Sequence, residues 1–377
     1  MNTFVRRSSN QNLIGWLVLV AVIVLFGWIE ITNPFGLEFS DLTGGIVTLD
    51  TMVRIGILTT LLVGLNLLMG YAGQVSLGHA AFYGVGAYMS AILTVRAGDL
   101  LGISKGVLGS WWWPWLVILF GMVFSGGLAY VIGRPILRLK GHYLAMATLG
   151  LGIMFYILFR ENLGFQGQQI TGAFDGIPGI PRLRIVGFEI WPLSRYYFFV
   201  WIVAVGVIAF GLNLINSRTG RALRAIHGSE VAAQAMGVDV ATYKARIFAV
   251  SAILASLAGS LYAHFQAAVS PIPFSFVASL ELVVMSAVGG LSSIWGAAFG
   301  VAVILVIKEI LRSRLRLVLQ GASGEHEIIF YGLLLVLIMI FMPEGITVGV
   351  VQRWRDWRIR RREKKTPLPV GSEAGGG

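Results

Sequence analysis

The sequence predicts an all-α, polytopic membrane bundle of eight to ten spans, and three observations carry that prediction. Of 377 residues, 56% are apolar and only 12% are charged, whereas a soluble domain carries roughly 25% charged residues. Mean hydropathy is +0.79, and a water-soluble fold of that composition would expose large apolar patches and aggregate. Glycine fills 48 positions, well above the usual roughly 7%, which suits helices that pack closely through small residues. Cysteine is absent, excluding disulfides, thiolate metal sites and a cysteine nucleophile.

A spanning helix needs about 20 mostly apolar residues. Runs of that kind occupy 13–31, 52–69, 75–95, 112–132, 143–159, 196–214 and 247–265, and shorter ones occupy 276–290, 294–307 and 328–342. The first run follows Arg6 and Arg7, but no small-x-small cleavage site precedes Pro34. It reads as an uncleaved anchor. Counting the three short runs as spans gives ten.

Lys and Arg set the orientation. With ten spans and the N-terminus inside, the inner segments hold 18 basic residues and the outer segments nine, so both termini are expected in the cytoplasm. The cluster Arg312, Arg314 and Arg316 falls outside in this scheme and fits it least. The net charge of +11 lies mostly in the inner loops and tail, which implies topology and contact with anionic lipid rather than nucleic acid. Residues 1–350 are expected to form one transmembrane domain, and 351–377 a basic cytoplasmic tail whose Gly/Pro-rich end is disordered.

Small residues recur every fourth position at Ala72, Ser76, Ala80 and Gly84, and again at Ser251, Ala255, Gly259 and Ala263. In lipid such stripes work by close backbone approach. Asn66, Tyr71, Gln74, Ser76 and His79 surround Gly70 and Gly73, a pattern that predicts a bend or broken helix. Polar groups at this depth either bond to neighbouring helices or line a wet route. His79 has no second ligand at metal spacing. Glu281 is the one carboxylate well inside a predicted span, a functional candidate or the partner of a nearby cation.

Two loops carry further signals. The outer loop 160–195 contains T-G-A-F-D-G-I-P-G-I-P over 171–181, whose Gly/Pro punctuation indicates an ordered loop, either a docking surface or a lid. The inner loop 217–246 places Ser229 as an N-cap, Glu230 in the first turn and Gly237 as the C′ residue of a two-turn helix. Its apolar face is Val231, Ala232, Ala235 and Met236. So short a helix is unstable alone in water and must dock onto its own bundle or another protein. Arg218, Arg221 and Arg224 lie upstream along one slowly drifting helical face.

No G-x-x-x-x-G-K-[ST] loop occurs, so ATP is not bound by that device. Neither a nucleophile–base set nor a metal cluster is apparent, and the chain is not expected to be an enzyme. A channel, an ion-coupled secondary transporter, or a permease energised by a separate ATPase remain.

At the inner loop, E-V-A-A-Q-A-M-G over 230–237 resembles the E-x-A-A-x-x-x-G coupling segment of ABC importer permeases. More widely, L-L-M-G-Y-A-G-Q-V-S-L-G-H-A-A-F over 67–82, L-K-G-H-Y-L-A-M-A-T-L-G over 139–150 and the 171–181 loop resemble the branched-chain amino acid permease family, specifically its LivM-type half. The likeness covers about 50–345. Ser292 and Ala297 depart from the Gly and Pro usual there, which puts the bend after the eighth run in question. The coupling segment lacks the I-x-L-P extension of other importers, and the tail is longer than expected.

The resemblance implies a permease subunit of an ATP-driven importer for branched-chain or other small polar amino acids, amides or urea. It implies a bacterial inner-membrane location and no cofactor on this chain, ATP being bound by the partners. Those partners would be a second homologous permease, two cytoplasmic ATPase subunits and an extracytoplasmic substrate-binding protein, with lipid around them. ATPase coupling would fall to Arg218, Gly220, Arg221, Arg224, Glu230, Ala232, Ala233 and Gly237. Substrate-path candidates are Asn66, Gln74, Ser76, His79 and Glu281. The alternative is an ion-coupled secondary transporter, which needs charged or broken-helix sites near mid-membrane.

Overall fold

A computed structural model describes residues 2–32, 45–139, 141–161, 170–318 and 332–333. Helix α1 (Asn2–Thr32) precedes α2 (Leu49–Asn66), which continues through a π-turn at Leu67–Tyr71. After seven non-helical residues, α3 (His79–Ala91) begins; a second π-turn, Ile92–Arg96, leads into α4 (Ala97–Leu101), and α5 (Lys105–Leu108) follows. Then come α6 (Trp113–Ile136), α7 (His142–Arg160), α8 (Leu193–Asn216), α9 (Arg218–Gly228), α10 (Glu230–Ala235), α11 (Val240–Gln266), α12 (Phe276–Gly289) and α13 (Ile294–Val318). Four two-residue strands form two small antiparallel ladders in the loops: β1 (Ile177–Pro178) with β4 (Ala268–Val269), and β2 (Arg184–Ile185) with β3 (Phe188–Glu189).

Side-chain oxygens start several of these helices, as expected where the first N–H groups lack intrahelical partners. Thr48 accepts from Thr51 N, Asp239 from Thr242 N, Ser275 from Ala278 N and Ser293 from Gly296 N. Pro114 opens α6, where its missing N–H costs nothing.

Seven helices among the described residues are long and apolar enough to cross a membrane, and the chain is a multi-pass membrane protein. Nine of the ten predicted runs are helical; the tenth, 328–342, and the tail 351–377 lie outside the described residues. α12 has only 14 residues, short of a full crossing, whereas the run predicted as 294–307 extends to Val318. The third run is corrected at its start. It becomes helical at His79 rather than at Val75, so Ala72 and Ser76 belong to the break and the predicted small-residue stripe reduces there to Ala80 and Gly84.

The most buried long helices are α2 and α11, and α11 packs most extensively on α3, α6 and α2. Its small-residue stripe explains the closeness. Ser251, Ala255 and Ala263 are fully buried, and a Cβ on Gly259 would lie 1.9 Å from the Tyr83 carbonyl oxygen. α12 and α13 cross with similar intimacy, a Cβ on Gly289 meeting the Gly296 oxygen at 2.0 Å. The turn between them forms normally: Gly290 has φ of +93° and Ser293 caps α13. Ser292 and Ala297 are therefore compatible with the bend. Large apolar side chains such as Leu119, Val123, Val131 and Ile202 face outward from α6 and α8, as lipid-facing surfaces require.

Candidate functional site

The predicted site residues fall in two regions, at different depths in the bundle. The first is the 217–239 loop. Ser217 caps α9 by accepting from Gly220 N, and the helix is amphipathic. Gly220, Leu223 and Ile226 are buried, while Arg218, Arg221 and Arg224 are exposed. Gly220 is required by packing, since a Cβ there would sit 2.2 Å from the Ile215 carbonyl oxygen.

α10 follows, with Ser229 accepting from Ala232 N at 3.3 Å and Gly237 closing the turn at φ +82°. Ala233 turns inward against Ile226 and Val240. Val231, Ala232, Ala235 and Met236 all remain exposed, Val231 at 72% and Met236 at 85%. The apolar face read from the sequence is thus present and uncovered by this chain's described residues.

Glu230 is held from behind: its carboxylate forms an ion pair with Lys244 of α11, which is itself buried at 4% exposure. Both line a cleft of about 380 Å³ with Arg134, Arg138 and Gln234. Asp239, at the start of α11, is exposed; its hydrogen bonds with Thr242 hold its carboxyl below the ordinary carboxylate range.

The second region is the break at 72–78, which starts against the loop. The π-turn Leu67–Tyr71 packs on α9, and Gly73, at φ +67°, lies so close to α9 that a Cβ there would fall 2.7 Å from His227 Nδ1. The non-helical backbone then packs against α7. Leu77 N donates to Thr148 Oγ1 at 3.1 Å. Gly78 leaves no room for a side chain, a Cβ lying 2.0 Å from the Thr148 carbonyl oxygen.

His79 Nε2 shares a hydrogen bond of 2.7 Å with Ser251 Oγ, and Ser251 is the twelfth of 27 residues in α11. α3 therefore begins near mid-bundle. Its second residue, Ala80, donates its N–H to Ser279 Oγ in the first turn of α12. Two helices thus begin close together inside the bundle, with the positive ends of their dipoles near one another. This is the broken-helix geometry anticipated from Gly70, Gly73 and the polar residues around them.

The path candidates divide by their bonding. Asn66 is fully buried; its Nδ2 donates to the Ser293 carbonyl at 2.8 Å and its Oδ1 accepts from Ser286 Oγ. With Tyr71 OH donating to the Ser292 carbonyl at 2.7 Å, it fastens the end of α2 to the α12–α13 turn. Gln74 is equally buried, yet neither amide atom has a hydrogen-bond partner among the described residues, and the same holds for Ser76 Oγ and His79 Nδ1. Such buried polar groups are uncommon and call for a reason.

Glu281 stands apart from this group. Lys308 Nζ donates to both of its oxygens, at 2.9 and 3.0 Å. The carboxylate on which an ion-coupled mechanism would rest is already paired.

The loop at the opposite end is ordered over 170–192, as its punctuation implied. β1 pairs with β4, Gly179 and Ile180 donate to the Ala267 carbonyl, and His264 Nδ1 donates to the Pro181 carbonyl at 2.7 Å. Ile177 and Ile180 are buried beneath it. Sequence reasoning missed Lys244 and Lys308 as partners. Each stands many residues from its carboxylate, and helical spacing signals only neighbours three or four apart.

The profile of a family described as a branched-chain amino acid transport system permease component matches residues 47–342. The chain is 31% identical over 325 residues to the high-affinity branched-chain amino acid transport system permease protein LivM of Salmonella typhimurium, covering 80% of this chain and 70% of that relative. It is 30% identical over 353 residues to LivM of Escherichia coli, covering 88% and 74%. It is also 25% identical over 293 residues to LivH of Escherichia coli, covering 75% and 89%. No solved structure matches.

Proposed function

From the premise that the chain belongs to the branched-chain amino acid transport permease family, we propose that it is one of two homologous membrane subunits of an ATP-driven importer in the bacterial inner membrane. Its cargo is a branched-chain or other small polar amino acid, amide or urea. The second permease, two ATPase subunits on the cytoplasmic face and an extracytoplasmic binding protein complete the assembly. ATP is bound and hydrolysed by the partners; this chain forms part of the route and transmits their movement.

The observation that carries this reading is the uncovered face of α10. A six-residue helix has too few hydrogen bonds to persist in water by itself. Here it is capped at both ends and anchored through Ala233 and the Glu230–Lys244 pair, while its apolar side points away from the bundle. A rigidly mounted apolar knob beside three exposed arginines suits a groove on an ATPase with an acidic rim. Closure of the ATPases would push on α10, and through α9 on the π-turn and the break at 72–78, which α9 touches. Gln74, Ser76 and His79 then lie where the two connect, with polar atoms available to cargo or water.

Replacing Met236 or Val231 with Glu tests the assignment, since both side chains are exposed and the fold does not depend on them. ATP-driven uptake is expected to fall at least tenfold while the chain inserts normally and retains its thermal stability. Uptake at the wild-type rate in both variants would refute α10 as the coupling element.

A further inference from the structure

The cleft of about 380 Å³ beside α10 lies between the end of α6 and the start of α11, and its lining carries an excess of positive charge. Arg134, Arg138 and Lys244 face one carboxylate, Glu230, with Gln234 and Thr242 completing the polar wall. Lys244 and Glu230 neutralise each other as an ion pair. The two arginines form no ion pair among the described residues. Arg134 Nη2 donates to Tyr130 OH at 2.6 Å, and its guanidinium carbon lies 4.4 Å from the centroid of that ring. Both contacts orient the group and leave its charge intact. Nor do these side chains cap α6, whose last carbonyls are met by backbone: Leu137 N donates to Gly133 O, Arg138 N to Pro135 O and Leu139 N to Ile136 O.

The height of the cleft in the membrane follows from α6. Trp111, Trp112, Trp113 and Trp115 gather at its start, and tryptophan is enriched at the membrane–water boundary. Arg134 comes 21 residues after Trp113, about 31 Å along the helix, which matches the roughly 30 Å of a hydrocarbon core. The arginines therefore sit at the second boundary, on the side that carries α9 and α10. Phe120, Phe124, Gly127, Val131, Arg134 and Arg138 succeed one another at three- and four-residue steps, so they share one face. Phe120, Phe124 and Val131 are exposed, and a Cβ placed on Gly127 would meet nothing within 4 Å. An apolar, lipid-facing strip with a dip at Gly127 thus leads to two uncompensated charges.

We propose that this cleft binds the phosphate of an anionic membrane phospholipid, with an acyl chain along the 120–131 strip, and that the headgroup braces α10 against α6. The chemistry recognised is a phosphate anion, whose oxygens match the fork of a guanidinium, and basic pockets between membrane helices take such headgroups. A lipid supplies both halves, phosphate for the arginines and hydrocarbon for the strip. A free phosphate or an acidic protein segment leaves the strip unused. Gln234 belongs to α10, so a headgroup held by Arg134 and Arg138 spans the cleft to the helix that Ala233 and the Glu230–Lys244 pair anchor from within. Lipid binding requires neither ATP nor another subunit, so the proposal goes beyond the importer reading and does not rest on it.

Because the chain has no cysteine, Ala235→Cys supplies a single exposed thiol on α10 for an environment-sensitive fluorophore. The labelled full chain is placed in phosphatidylcholine nanodiscs, and the phosphatidylglycerol fraction is raised from zero. Fluorescence should change and saturate, and Arg134→Gln combined with Arg138→Gln should raise the half-saturating fraction roughly fivefold or more. Both arginines are exposed, so the variant is expected to fold. Arg218→Gln combined with Arg221→Gln removes the same charge from α9 and should leave the titration unchanged. Native mass spectrometry should find phosphatidylglycerol retained by the wild-type chain and lost from the Arg134, Arg138 variant.

No saturable change, or equal titration and equal retention in that variant, would overturn the proposal. A matching shift from the α9 variant would assign the effect to overall surface charge and overturn it as well. Millimolar inorganic phosphate that reproduces the change in phosphatidylcholine alone would make the ligand a free anion rather than a lipid. Loss of co-purifying ATPase subunits from the Arg134, Arg138 variant, with its lipid titration as in wild type, would give the cleft to an acidic protein segment instead.

Discussion

Gly259 and Asn66 show how much a single position decides in this bundle. Leucine at 259 would drive its Cβ into the Tyr83 carbonyl, a backbone atom that cannot rotate away. Overpacking of this kind costs about 1–3 kcal/mol or more. Gly84→Leu should behave similarly, because its Cβ would fall 2.5 Å from Phe159 and 3.0 Å from Phe274. Thermal unfolding in detergent is expected to drop for both variants, and wild-type stability would mean that these stripes do not pack as described. Asn66→Leu should cost about 1–3 kcal/mol by orphaning the Ser293 carbonyl and Ser286 hydroxyl, with loosening centred on the α12–α13 turn in hydrogen exchange. The polar character of 66–79 was legible in the sequence. Which residues were tied down and which left unpartnered was not, because Asn66 finds its partners more than 200 positions away.

At the scale of elements, the long helices were readable because a bilayer demands about 20 apolar residues, and the short helix α10 because its cap, first-turn acid and terminal glycine are local signals. α9 was foreshadowed by the spacing of its arginines. The start of α3 was misplaced by four residues. The run from Val75 is apolar enough to be helical, but Leu77 N and Gly78 commit the backbone to α7 instead, a tertiary contact that no local pattern reveals. The short length of α12 was visible, whereas its start inside the bundle was not.

The caps make an element-level prediction about pH. Asp239 carries a lowered carboxyl pKa through its bonds to Thr242, so its contribution is present above the unfolded value of 3.8 and is lost as pH falls through the lower folded value. Asp239→Asn should therefore be less stable than wild type at neutral pH, with the difference closing below that unfolded value in thermal melts. A gap that persists unchanged in acid would assign the effect to something other than the charge.

For the whole molecule, the bundle connects a surface at one end to a polar break within. α9 and α10 present arginines and an apolar face, α9 touches the π-turn before the break, and the break leads to two helix starts near mid-bundle. An exposed apolar knob demands a partner, and that demand is the physical content of calling this chain a subunit. The central claim is tested most directly by purifying the tagged chain from its own membrane in mild detergent and identifying its companions by mass spectrometry. P-loop ATPases and a second homologous permease should be recovered, and the ATPases should be lost when Met236→Glu and Val231→Glu are combined. A chain that purifies alone and accumulates solute in liposomes under an ion gradient would contradict it.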